Sequence, residues 1–330
     1  MTLLWISIIV LFIILVTRII RIFELSRELK GEEGDDHIVT DKEGRNISGF
    51  FVLFTAGFFL FFAWLHNNFS NKLLPEAASL HGPEIDKLFN ITMGLIIFVF
   101  VVMHIILAYQ IYKNFYRKGR KAFYFAHSTK LELIWTIVPA VVLSGLIVYG
   151  LRVWDDVIYP DAKDPVVIEI YAKQFGWTAR YAGNDGKLGG TDFRLIDDTN
   201  ELGLKSDEHV GDDVIVKGEF HLPLNRPVLF KFRSRDVIHS AYMPHFRAQM
   251  NCVPGMETQF EFIPTKTTQD IREITKNPKY NFVLMCNKIC GSSHFNMQMD
   301  IIVDKEQDFN KWISEQKTWG ASSVTPTANL

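Results

Sequence analysis

A dense group of metal-binding side chains lies near the end of the chain. It comprises two thiols, an imidazole and a thioether, from Cys286, Cys290, His294 and Met297. Sulfur and imidazole nitrogen are soft or borderline donors, and proteins use them to bind zinc and copper. A second imidazole, that of His239, lies upstream in a run of β-branched and aromatic residues. If the strand that carries it neighbours the strand before Cys286, His239 completes a site with five side-chain donors.

This donor set leaves three kinds of site open. Two cysteines and two histidines suit a tetrahedral zinc ion, and two cysteines outside the cytoplasm suit a disulfide. The thioether of Met297 favours copper, because Cys, His and a weak axial Met form the ligand set of copper electron-transfer sites. Two thiolates on one loop can also bridge two copper ions, each of which keeps one imidazole. Electron sharing between two such ions holds their geometry nearly fixed during a redox change, which favours fast transfer.

The rest of the chain divides into a membrane part and a soluble part. Its 330 residues are 48% hydrophobic and 22% charged, and its mean hydropathy of +0.08 conceals four stretches without Asp, Glu, Lys or Arg: residues 1–17, 46–71, 88–112 and 133–151. A helix that crosses about 30 Å of hydrocarbon needs about 20 mostly apolar residues. We therefore predict four transmembrane helices. The residues from 152 onward contain no comparable stretch and are numerous enough to bury a core, which excludes a pure membrane bundle and a wholly soluble enzyme.

The distribution of positive charge predicts the orientation in the membrane. Six Lys or Arg residues separate the first two uncharged stretches, two separate the second and third, and six separate the third and fourth. The positive-inside rule places the first and third of these connections in the cytoplasm. The N-terminus and everything after residue 152 are then expected on the periplasmic side of a bacterial-type plasma membrane. Residues 1–17 lack a preceding basic region and a cleavage site, so we expect them to be retained as a span rather than removed as a signal peptide.

The soluble part has the period of two that is typical of strands. Eight short runs predict an antiparallel sandwich or barrel: residues 166–171, 177–181, 214–217, 228–232, 237–242, 258–263, 282–286 and 297–303. The acidic stretch 182–213 is predicted to be a solvated loop, with a docking face for a basic partner as the alternative. Residues 304–319 predict a closing amphipathic helix, and the tail beyond it is expected to be disordered. His221 is expected at an exposed turn, and Cys252 in the core.

Several of these motifs carry a family resemblance. The spacing Cys-x3-Cys-x3-His-x2-Met, with the pair His239-Ser240 and the segment Val253-Pro254-Gly255 upstream, resembles subunit II of the haem-copper cytochrome c oxidases. Residues 132–139 (Glu-Leu-Ile-Trp-Thr-Ile-Val-Pro) resemble the second-helix signature of that family, and residues 174–177 (Gln-Phe-Gly-Trp) resemble its aromatic segment. The likeness covers roughly residues 88–318.

The resemblance implies a fold and a domain organisation. It predicts a membrane-anchored chain in which the four transmembrane α-helices are followed by an all-β cupredoxin-like Greek-key sandwich. A transmembrane hairpin over residues 88–152 would precede a copper A domain over residues 153–318 and a tail over residues 319–330. Residues 1–66 would form an additional N-terminal hairpin, for which we expect a contact with another membrane subunit or a neighbouring respiratory complex.

The resemblance also implies a function. The chain would be the subunit through which electrons enter a respiratory terminal oxidase. A dinuclear copper A centre would accept electrons from a c-type cytochrome and pass them to haem in subunit I, where O2 reduction is coupled to proton translocation. The haem and the oxygen-reducing site belong to that partner and not to this chain. The expected partners are subunit I, other oxidase subunits, the donor cytochrome and the lipid bilayer, and no nucleic acid is expected.

Particular residues take roles by matching the motifs of the family. The implied copper ligands are His239, Cys286, Cys290, His294, Met297 and the backbone carbonyl of Lys288. Glu132 matches an acid at the entrance of a proton pathway into subunit I. Phe175 and Trp177 match the aromatic segment where electrons enter. His104 lies within a predicted span, and we expect it to pack rather than to react.

Two departures from the family pattern alter these expectations. The family usually has Glu at the position of Lys288, where the carboxylate reaches a magnesium ion shared with subunit I. An ammonium group has no lone pair, so we expect no magnesium ligand from this position. Family members that take electrons from a soluble cytochrome c also tend to have Trp at the position of Phe175 and Asp at the position of Asn251. A membrane-bound or permanently docked cytochrome, within a respiratory supercomplex, is therefore favoured over a freely diffusing one.

Two other functions compete with this interpretation. A membrane-anchored copper carrier or assembly protein could use the Cys-x3-Cys and His donors, but it has no need for Glu132 or for the thioether of Met297. Subunit II of a quinol oxidase would have the same architecture but would lack the copper ligands. The presence of all five side-chain donors favours the cytochrome c oxidase.

Overall fold

Long helices form the first part of the chain, and strands are the main regular structure of the second. The computed structural model describes residues 2–29, 39–121, 123–124, 126–158 and 163–320. Within these ranges the α-helices are α1 Thr2–Leu29, α2 Asp41–Phe69, α3 Gly82–Lys113, α4 Thr129–Ile158, α5 Thr268–Thr275 and α6 Glu306–Glu315. The closing helix is thus confirmed as α6. Of the predicted tail over residues 319–330, the part from residue 321 onward lies outside the described residues, whereas Trp319 N–H donates to the Asp213 carbonyl at 2.8 Å.

Three helices are long and apolar enough to cross a membrane, among the residues that the structure describes. They are Asp41–Phe69, Gly82–Lys113 and Thr129–Asp155, with mean hydropathies of 2.0, 2.8 and 2.2. These are the predicted second, third and fourth spans, so the structure supports three of the four predictions. The predicted first span belongs to α1, which is not among the three. Residues 1–17 are the shortest of the uncharged stretches, and Arg18 and Arg21 follow them on the same helix.

Residues 1–61 and 101–126 form one compact unit. In it, α2 begins with a capping box, since Thr40 N–H donates to Glu43 Oε2 at 2.9 Å and Glu43 N–H donates to Thr40 Oγ1 at 3.2 Å. Lys118 N–H donates to Asp41 Oδ1 at 2.6 Å. The His104 ring packs on the rings of Phe58 and Phe59, with centroids 6.2 and 5.8 Å away, which agrees with the expected packing role.

Residues 62–100 and 127–330 form the second unit, which contains all of the strands described. They are β1 Val166–Lys173, β2 Gly176–Tyr181, β3 Val214–Val216, β4 Glu219–Pro223, β5 Val228–Ser234, β6 His239–Met243, β7 Ala248–Cys252, β8 Thr258–Phe262, β9 Phe282–Cys286 and β10 Gln298–Asp304. One sheet has the order β3-β2-β1-β5-β8 and the other has the order β4-β10-β9-β6-β7. The predicted sandwich is confirmed.

The sandwich is not antiparallel throughout, contrary to the prediction. Strand β1 pairs with β5 in parallel, and β4 pairs with β10 in parallel. Parallel neighbours need a long crossover connection, and the chain between β4 and β10 includes five strands and α5. The alternation of residues within a strand predicts the strand itself, but it does not show which distant strand pairs with it or in which direction.

The sequence does not predict strands β4 and β7, and each lies at an edge of the second sheet. Strand β7 reads Ala-Gln-Met-Asn-Cys and has no β-branched or aromatic residue. Strand β4 follows Gly218 and ends in Pro223, which are both unfavourable in strands. Tertiary pairing overrides these weak local propensities, because β7 pairs along its length with β6 and β4 pairs with β10.

An aromatic core joins the inner faces of the two sheets. The rings of Phe230 and Phe262 stack with centroids 5.1 Å apart, and those of Phe246 and Phe262 stack at 4.7 Å. Each of these side chains is almost fully buried, which contributes about 1.5–3 kcal/mol apiece. The core fixes β6 and β9, the two strands that carry metal-binding residues.

The segment between α2 and α3 is part of this core. Ala78 is fully buried, its N–H donates to the His245 carbonyl at 2.8 Å, and its own carbonyl accepts from Thr265 N–H at 2.8 Å. The Ser79 hydroxyl donates to the Phe246 carbonyl at 2.8 Å. This segment therefore lies between the edges of the two sheets, next to β7 and β8, and joins the helical hairpin to the β domain.

The acidic stretch 182–213 is a folded cover and not merely a solvated loop. Its residues Leu202, Leu204 and Val210 are buried against Tyr171 on the outer face of the first sheet. At its base, Arg180 forms ion pairs with Glu169 at 2.8 Å and Asp213 at 3.1 Å, and all three side chains are buried. The apolar residues were too few and too irregularly spaced for this burial to be predicted.

His221 is also buried, contrary to the expectation of an exposed turn. It lies on β4, and its ring stacks on Trp312 of α6 with centroids 4.0 Å apart. Its Nδ1 atom is 2.5 Å from an Asp304 carboxylate oxygen. The weak strand propensity of β4, with Gly218 before it and Pro223 at its end, explains why the sequence predicts a turn at His221.

Candidate metal centre

The two strands that carry the first donors are neighbours, as the sequence analysis required. Strands β6 and β9 are antiparallel, and Ala241 lies opposite Cys286. His239 is the first residue of β6 and Cys286 is the last residue of β9. Because the two strands are antiparallel, both residues lie at the same end of the sandwich. Asn287 N–H donates to the Ser240 carbonyl at 2.9 Å, which fixes the loop that follows β9 to β6.

The donor atoms of the predicted site form one cluster. The Nδ1 atom of His239 is 3.8 Å from Cys286 Sγ, and the Sγ atoms of Cys286 and Cys290 are 3.9 Å apart. One ligand atom from each of these residues lies within 4.8 Å of the others. The structure therefore brings together the predicted imidazole and both predicted thiols.

The remaining predicted donors extend the cluster on both sides. The Lys288 carbonyl oxygen is 3.2 Å from Cys286 Sγ. His294 Nδ1 is 3.6 Å and Met297 Sδ is 3.8 Å from Cys290 Sγ. Every predicted ligand thus approaches one of the two thiols, and the two thiols approach each other.

The cysteines are reduced in this arrangement. A disulfide has sulfur atoms about 2.05 Å apart, which is far shorter than the 3.9 Å between Cys286 and Cys290. Two thiolates bound at about 2.3 Å to one tetrahedral ion lie about 3.8 Å apart, so the observed separation fits a shared metal ion. The third cysteine, Cys252, is fully buried on β7 opposite His239, and burial raises the pKa of its thiol to about 12.

Burial shapes the chemistry of the donors. His239, Cys290 and Met297 are buried, while Cys286 and His294 are half-buried. Burial raises the pKa of the Cys290 thiol to about 11, and the neighbouring Cys286 adds to the effect. A metal ion that binds here must displace a proton from that thiol. Because Cys290 and Met297 are buried, little water can reach a metal ion bound beside them.

Two residues outside the predicted ligand set hold the donors in place. The Asp236 carboxylate is 2.8 Å from His239 Nε2, which leaves Nδ1 facing the thiols. The Gln174 side-chain amide donates to the Cys290 carbonyl at 2.5 Å. Burial would raise the pKa of Asp236, but hydrogen bonds from Gln174 N–H, His239 and Val237 N–H outweigh it and lower the pKa. An acid three residues before a ligating histidine is a sequence signal that could have revealed Asp236.

The donor set fits copper better than zinc. Zinc sites are closed by four ligands, whereas this cluster offers two thiols, two imidazoles, a thioether and a carbonyl. The buried thioether of Met297 lies 3.8 Å from a thiol, where a metal bound to that thiol can reach it. Thioether and thiolate are soft ligands that select copper. Six donors around a pair of thiols suit two ions rather than one.

The predicted aromatic residues lie next to this cluster. Trp177 is buried, its Nε1–H donates to the Met297 carbonyl at 3.3 Å, and its ring centroid is 6.2 Å from that of His239. Phe175 is 39% exposed. Its ring lies against Gly291, where an added Cβ atom would be 2.7 Å from Phe175 Cζ. Trp177 is therefore a core neighbour of the donors, and Phe175 connects them to the surface.

Glu132 lies apart from the metal-binding cluster. It occupies the first turn of α4, is exposed, and accepts a hydrogen bond from Ser128 N–H at 3.3 Å. About 39 Å of helix separates it from the other end of α4, at the rise of 1.5 Å per residue. Any role for this acid belongs to the opposite end of the helical hairpin.

Both family matches that the chain produces concern one protein family. Residues 67–153 match the family described as cytochrome C oxidase subunit II, transmembrane domain, and residues 166–305 match its periplasmic domain. The alternative cytochrome c oxidase subunit 2 of Bradyrhizobium diazoefficiens is 35% identical over 72% of this chain and 82% of that protein. Cytochrome c oxidase subunit 2 of Thermostichus vulcanus is 25% identical over 77% of this chain and 82% of that protein.

A solved structure is also similar, although its alignment is weak. The periplasmic domain of subunit II of cytochrome oxidase (CoxB) of Bradyrhizobium japonicum is 21% identical, over 46% of this chain and 94% of that chain, with a TM-score of 0.31.

The family matches confirm the resemblance that the copper motif and the α4 motif predicted. They span α3, α4 and nearly the whole sandwich, and they include each residue of the metal-binding cluster. The matched transmembrane and periplasmic domains also indicate a membrane-anchored protein. The chain belongs to the cytochrome c oxidase subunit II family and is the subunit through which electrons enter that oxidoreductase complex.

Proposed function

We propose that this chain takes electrons from a c-type cytochrome through a dinuclear copper A centre and passes them to haem in subunit I. The centre is held by His239, Cys286, Cys290, His294, Met297 and the backbone carbonyl of Lys288. The observation that carries this proposal is the cluster itself, in which every donor lies 3.2–3.9 Å from one of two thiol sulfur atoms that are 3.9 Å apart.

The protein contributes position, charge and exclusion of water. When bound, the copper pair supplies a one-electron acceptor in which the electron is shared between two ions. Cys286 and Cys290 lose their Sγ protons on binding and supply two negative charges. His239 is oriented by Asp236, and buried Met297 closes the Cys290 side of the cluster. Donors that the fold holds in fixed positions would limit the change in geometry when the centre gains or loses an electron, which favours fast electron transfer.

The domain organisation that we propose keeps the predicted boundaries with one addition. Residues 1–66 form an additional N-terminal hairpin, 88–152 the oxidase hairpin, 153–318 the copper domain and 319–330 the tail. The segment at Ala78 and Ser79 is added to the copper domain, because it is buried among that domain's strands.

The proposed orientation has four spans, with the N-terminus and the copper domain on the periplasmic side of the plasma membrane. The connection between α2 and α3 contains only two basic residues, which the positive-inside rule assigns to the outside. The burial of Ala78 within the β domain supports the same assignment, since it requires this connection and the copper domain to share one side of the membrane.

The proposed donor is a membrane-bound or permanently docked cytochrome. Exposed Phe175 lies beside the cluster, and Asn251 is exposed on β7, so neither position carries a charge that attracts a basic protein. Turnover with the natural donor should therefore change little as ionic strength rises. A steep fall would indicate electrostatic capture of a diffusing protein and would contradict this part of the proposal.

Two further roles follow from the family motifs. Glu132, exposed in the first turn of α4, is proposed as the entrance of a proton pathway into subunit I. Lys288 is exposed, and its ammonium group has no lone pair for a metal. We expect no magnesium at the interface that the Glu of other family members serves. Stoichiometric magnesium or manganese in the purified complex would contradict this expectation.

The decisive test is electron paramagnetic resonance of the purified oxidase complex, together with its copper content. An electron shared over two copper nuclei gives a seven-line hyperfine pattern from this subunit. A four-line pattern from one copper would instead support a carrier or assembly role. A Cys286→Ser variant removes one of the two shared thiols, so it should lose the seven-line pattern while the chain remains in the complex.

A further inference from the structure

We infer that Gln174 is a positioning residue for the copper centre, which it fixes by joining the two ends of the donor cluster. The inference rests on the proposed function. Gln174 is not a metal ligand, since its side chain bonds to a backbone carbonyl and its backbone to a carboxylate. Its role is carried by three hydrogen bonds that connect one β-turn to Cys290 and to His239.

The first connection runs to the thiol loop. The Gln174 side-chain amide donates to the Cys290 carbonyl at 2.5 Å. This carbonyl belongs to the residue whose Sγ approaches Cys286, His294 and Met297. A bond to the backbone of Cys290 therefore constrains the thiol at the centre of the cluster.

The second connection runs to the imidazole on the far side of the cluster. The Gln174 backbone N–H donates to Asp236 Oδ2 at 2.7 Å, and Asp236 Oδ1 is 2.8 Å from His239 Nε2. Val237 N–H also donates to Asp236 Oδ1, at 2.7 Å, so the carboxylate is held from three directions. One glutamine thus reaches Cys290 directly and His239 through a single carboxylate.

The position of Gln174 is fixed by the opposite sheet. Lys173 and Gly176 are the last paired residues of the β1–β2 hairpin, and Gln174 and Phe175 form its two-residue turn. The donors belong to β6, β9 and the loop before β10, which are parts of the other sheet. The bonds of Gln174 therefore connect the metal loop of one sheet to the β1–β2 turn of the other.

Gly291 makes the close approach of this turn possible. Its φ of 142° lies in the region that favours glycine, and an added Cβ atom would lie 3.0 Å from Gln174 Nε2 and 2.7 Å from Phe175 Cζ. A side chain at this position would push the turn away from Cys290. Glycine at position 291, directly after Cys290, thus leaves room for Gln174 and Phe175 to pack against the thiol loop.

The chemistry of the bond requires a donor at the end of the side chain. A carbonyl oxygen accepts only, so methionine, with similar length and no N–H, cannot replace the amide. Residues that orient metal ligands from outside typically change metal affinity by about 10–100-fold when they are replaced. Gln174 is itself exposed, so its replacement removes no core packing.

The test compares four variants of the full chain in the purified oxidase complex. Gln174→Met removes the donor, and Gln174→Lys keeps a donor on an aliphatic stem of comparable length. Gln174→Glu places a carboxylate against the Cys290 carbonyl. Gln298→Met is the matched control, because Gln298 is exposed and directly follows Met297. The measurements are copper retained against a chelator, the hyperfine pattern and the reduction potential of the centre.

We expect Gln174→Met to lower copper affinity about 10–100-fold and to change the hyperfine pattern, and Gln174→Glu to lower affinity further. Gln174→Lys should retain copper better than Gln174→Met and raise the potential, because a nearby cation favours the reduced form. Gln298→Met should match the wild type.

Each alternative outcome has one meaning. A wild-type complex without two coppers in this subunit overturns the proposed function itself. Two coppers in the wild type and equal behaviour of Gln174→Met and Gln298→Met overturn the role of Gln174 alone. Equal losses in Gln174→Lys and Gln174→Met also overturn it, since they would show that packing and not the donated hydrogen bond matters.

Discussion

Arg247 of the copper domain forms two hydrogen bonds with Asp86 at the start of α3, at 2.6 and 2.9 Å. The same guanidinium also donates to the carbonyls of Pro75 and Pro244, at 2.7 and 2.6 Å. Its side chain is only 7% exposed. Arg247 thus attaches the β domain to the start of α3 and to the segment that precedes this helix.

Asp86→Asn should loosen this attachment. Hydrogen bonds to a charged group stabilise a protein by about 1.5–3 kcal/mol, and the variant leaves the buried guanidinium without its counter-ion. We expect faster amide hydrogen exchange at Ala78 and Ser79 and a lower thermal midpoint of the complex. Glu84→Gln is the matched control, because this acid lies in the same turn and is 57% exposed. Equal exchange in both variants would contradict the proposed attachment.

The donor cluster could be predicted from the sequence because most of its residues lie on one short loop. Cys286, Cys290, His294 and Met297 are separated by three residues or fewer, so their types and spacing already define a donor set. The prediction that His239 belongs to this donor set required one assumption, that β6 and β9 are neighbours. The pairing of Ala241 with Cys286 bears it out.

The supporting contacts could not be predicted, because they join residues that no local pattern connects. Gln174 and Cys290 are 116 residues apart, and Ser79 and Phe246 are 167 apart. Strand β7 has a polar sequence and exists because β6 pairs with it. A single sequence reports local periodicity, whereas these contacts depend on how the sheets meet.

Arg180→Met should destabilise the cover formed by residues 182–213. Glu169 and Asp213 are 1% and 0% exposed and would lose their common cation. Removal of one partner from a buried ion pair costs about 3–5 kcal/mol. Limited proteolysis should cut within the cover faster than in the wild type. The control is Arg194→Met, because the Arg194 side chain is 75% exposed and its ion pair with Asp192 is 4.0 Å long.

The Arg180→Met variant should also strengthen the loss of stability with rising pH that Asp213 causes. Burial raises the pKa of Asp213 to about 6 even beside Arg180, and without that cation the pKa of Asp213 should lie still further above its value in the unfolded chain. Stability then falls as pH rises through the raised pKa, since the folded state holds the extra proton. Unfolding free energies of Arg180→Met that increase between pH 5 and about 7 would refute this linkage.

Copper binding should release protons and weaken in acid. Burial raises the pKa of the Cys290 thiol to about 11, so the metal-free protein holds this proton at neutral pH. The apparent affinity should therefore fall by up to about tenfold for each unit of pH lowered and for each thiol that must ionise. Calorimetric titration of the metal-free chain in buffers of different ionisation enthalpy measures the protons released. A pH-independent affinity would mean that the thiols do not bind the metal.

Met297→Leu should change the copper centre without unfolding the domain. Leucine fills a similar volume, and exchange of Met for Leu in a core costs less than about 1.5 kcal/mol. The variant lacks the Sδ atom that lies 3.8 Å from Cys290 Sγ, so the reduction potential and hyperfine pattern should shift. Met299→Leu is the matched control, because Met299 is buried in the same core cluster as Met297 but is not one of the predicted ligands. If both variants leave the potential at the wild-type value, Met297 is a packing residue and not a ligand.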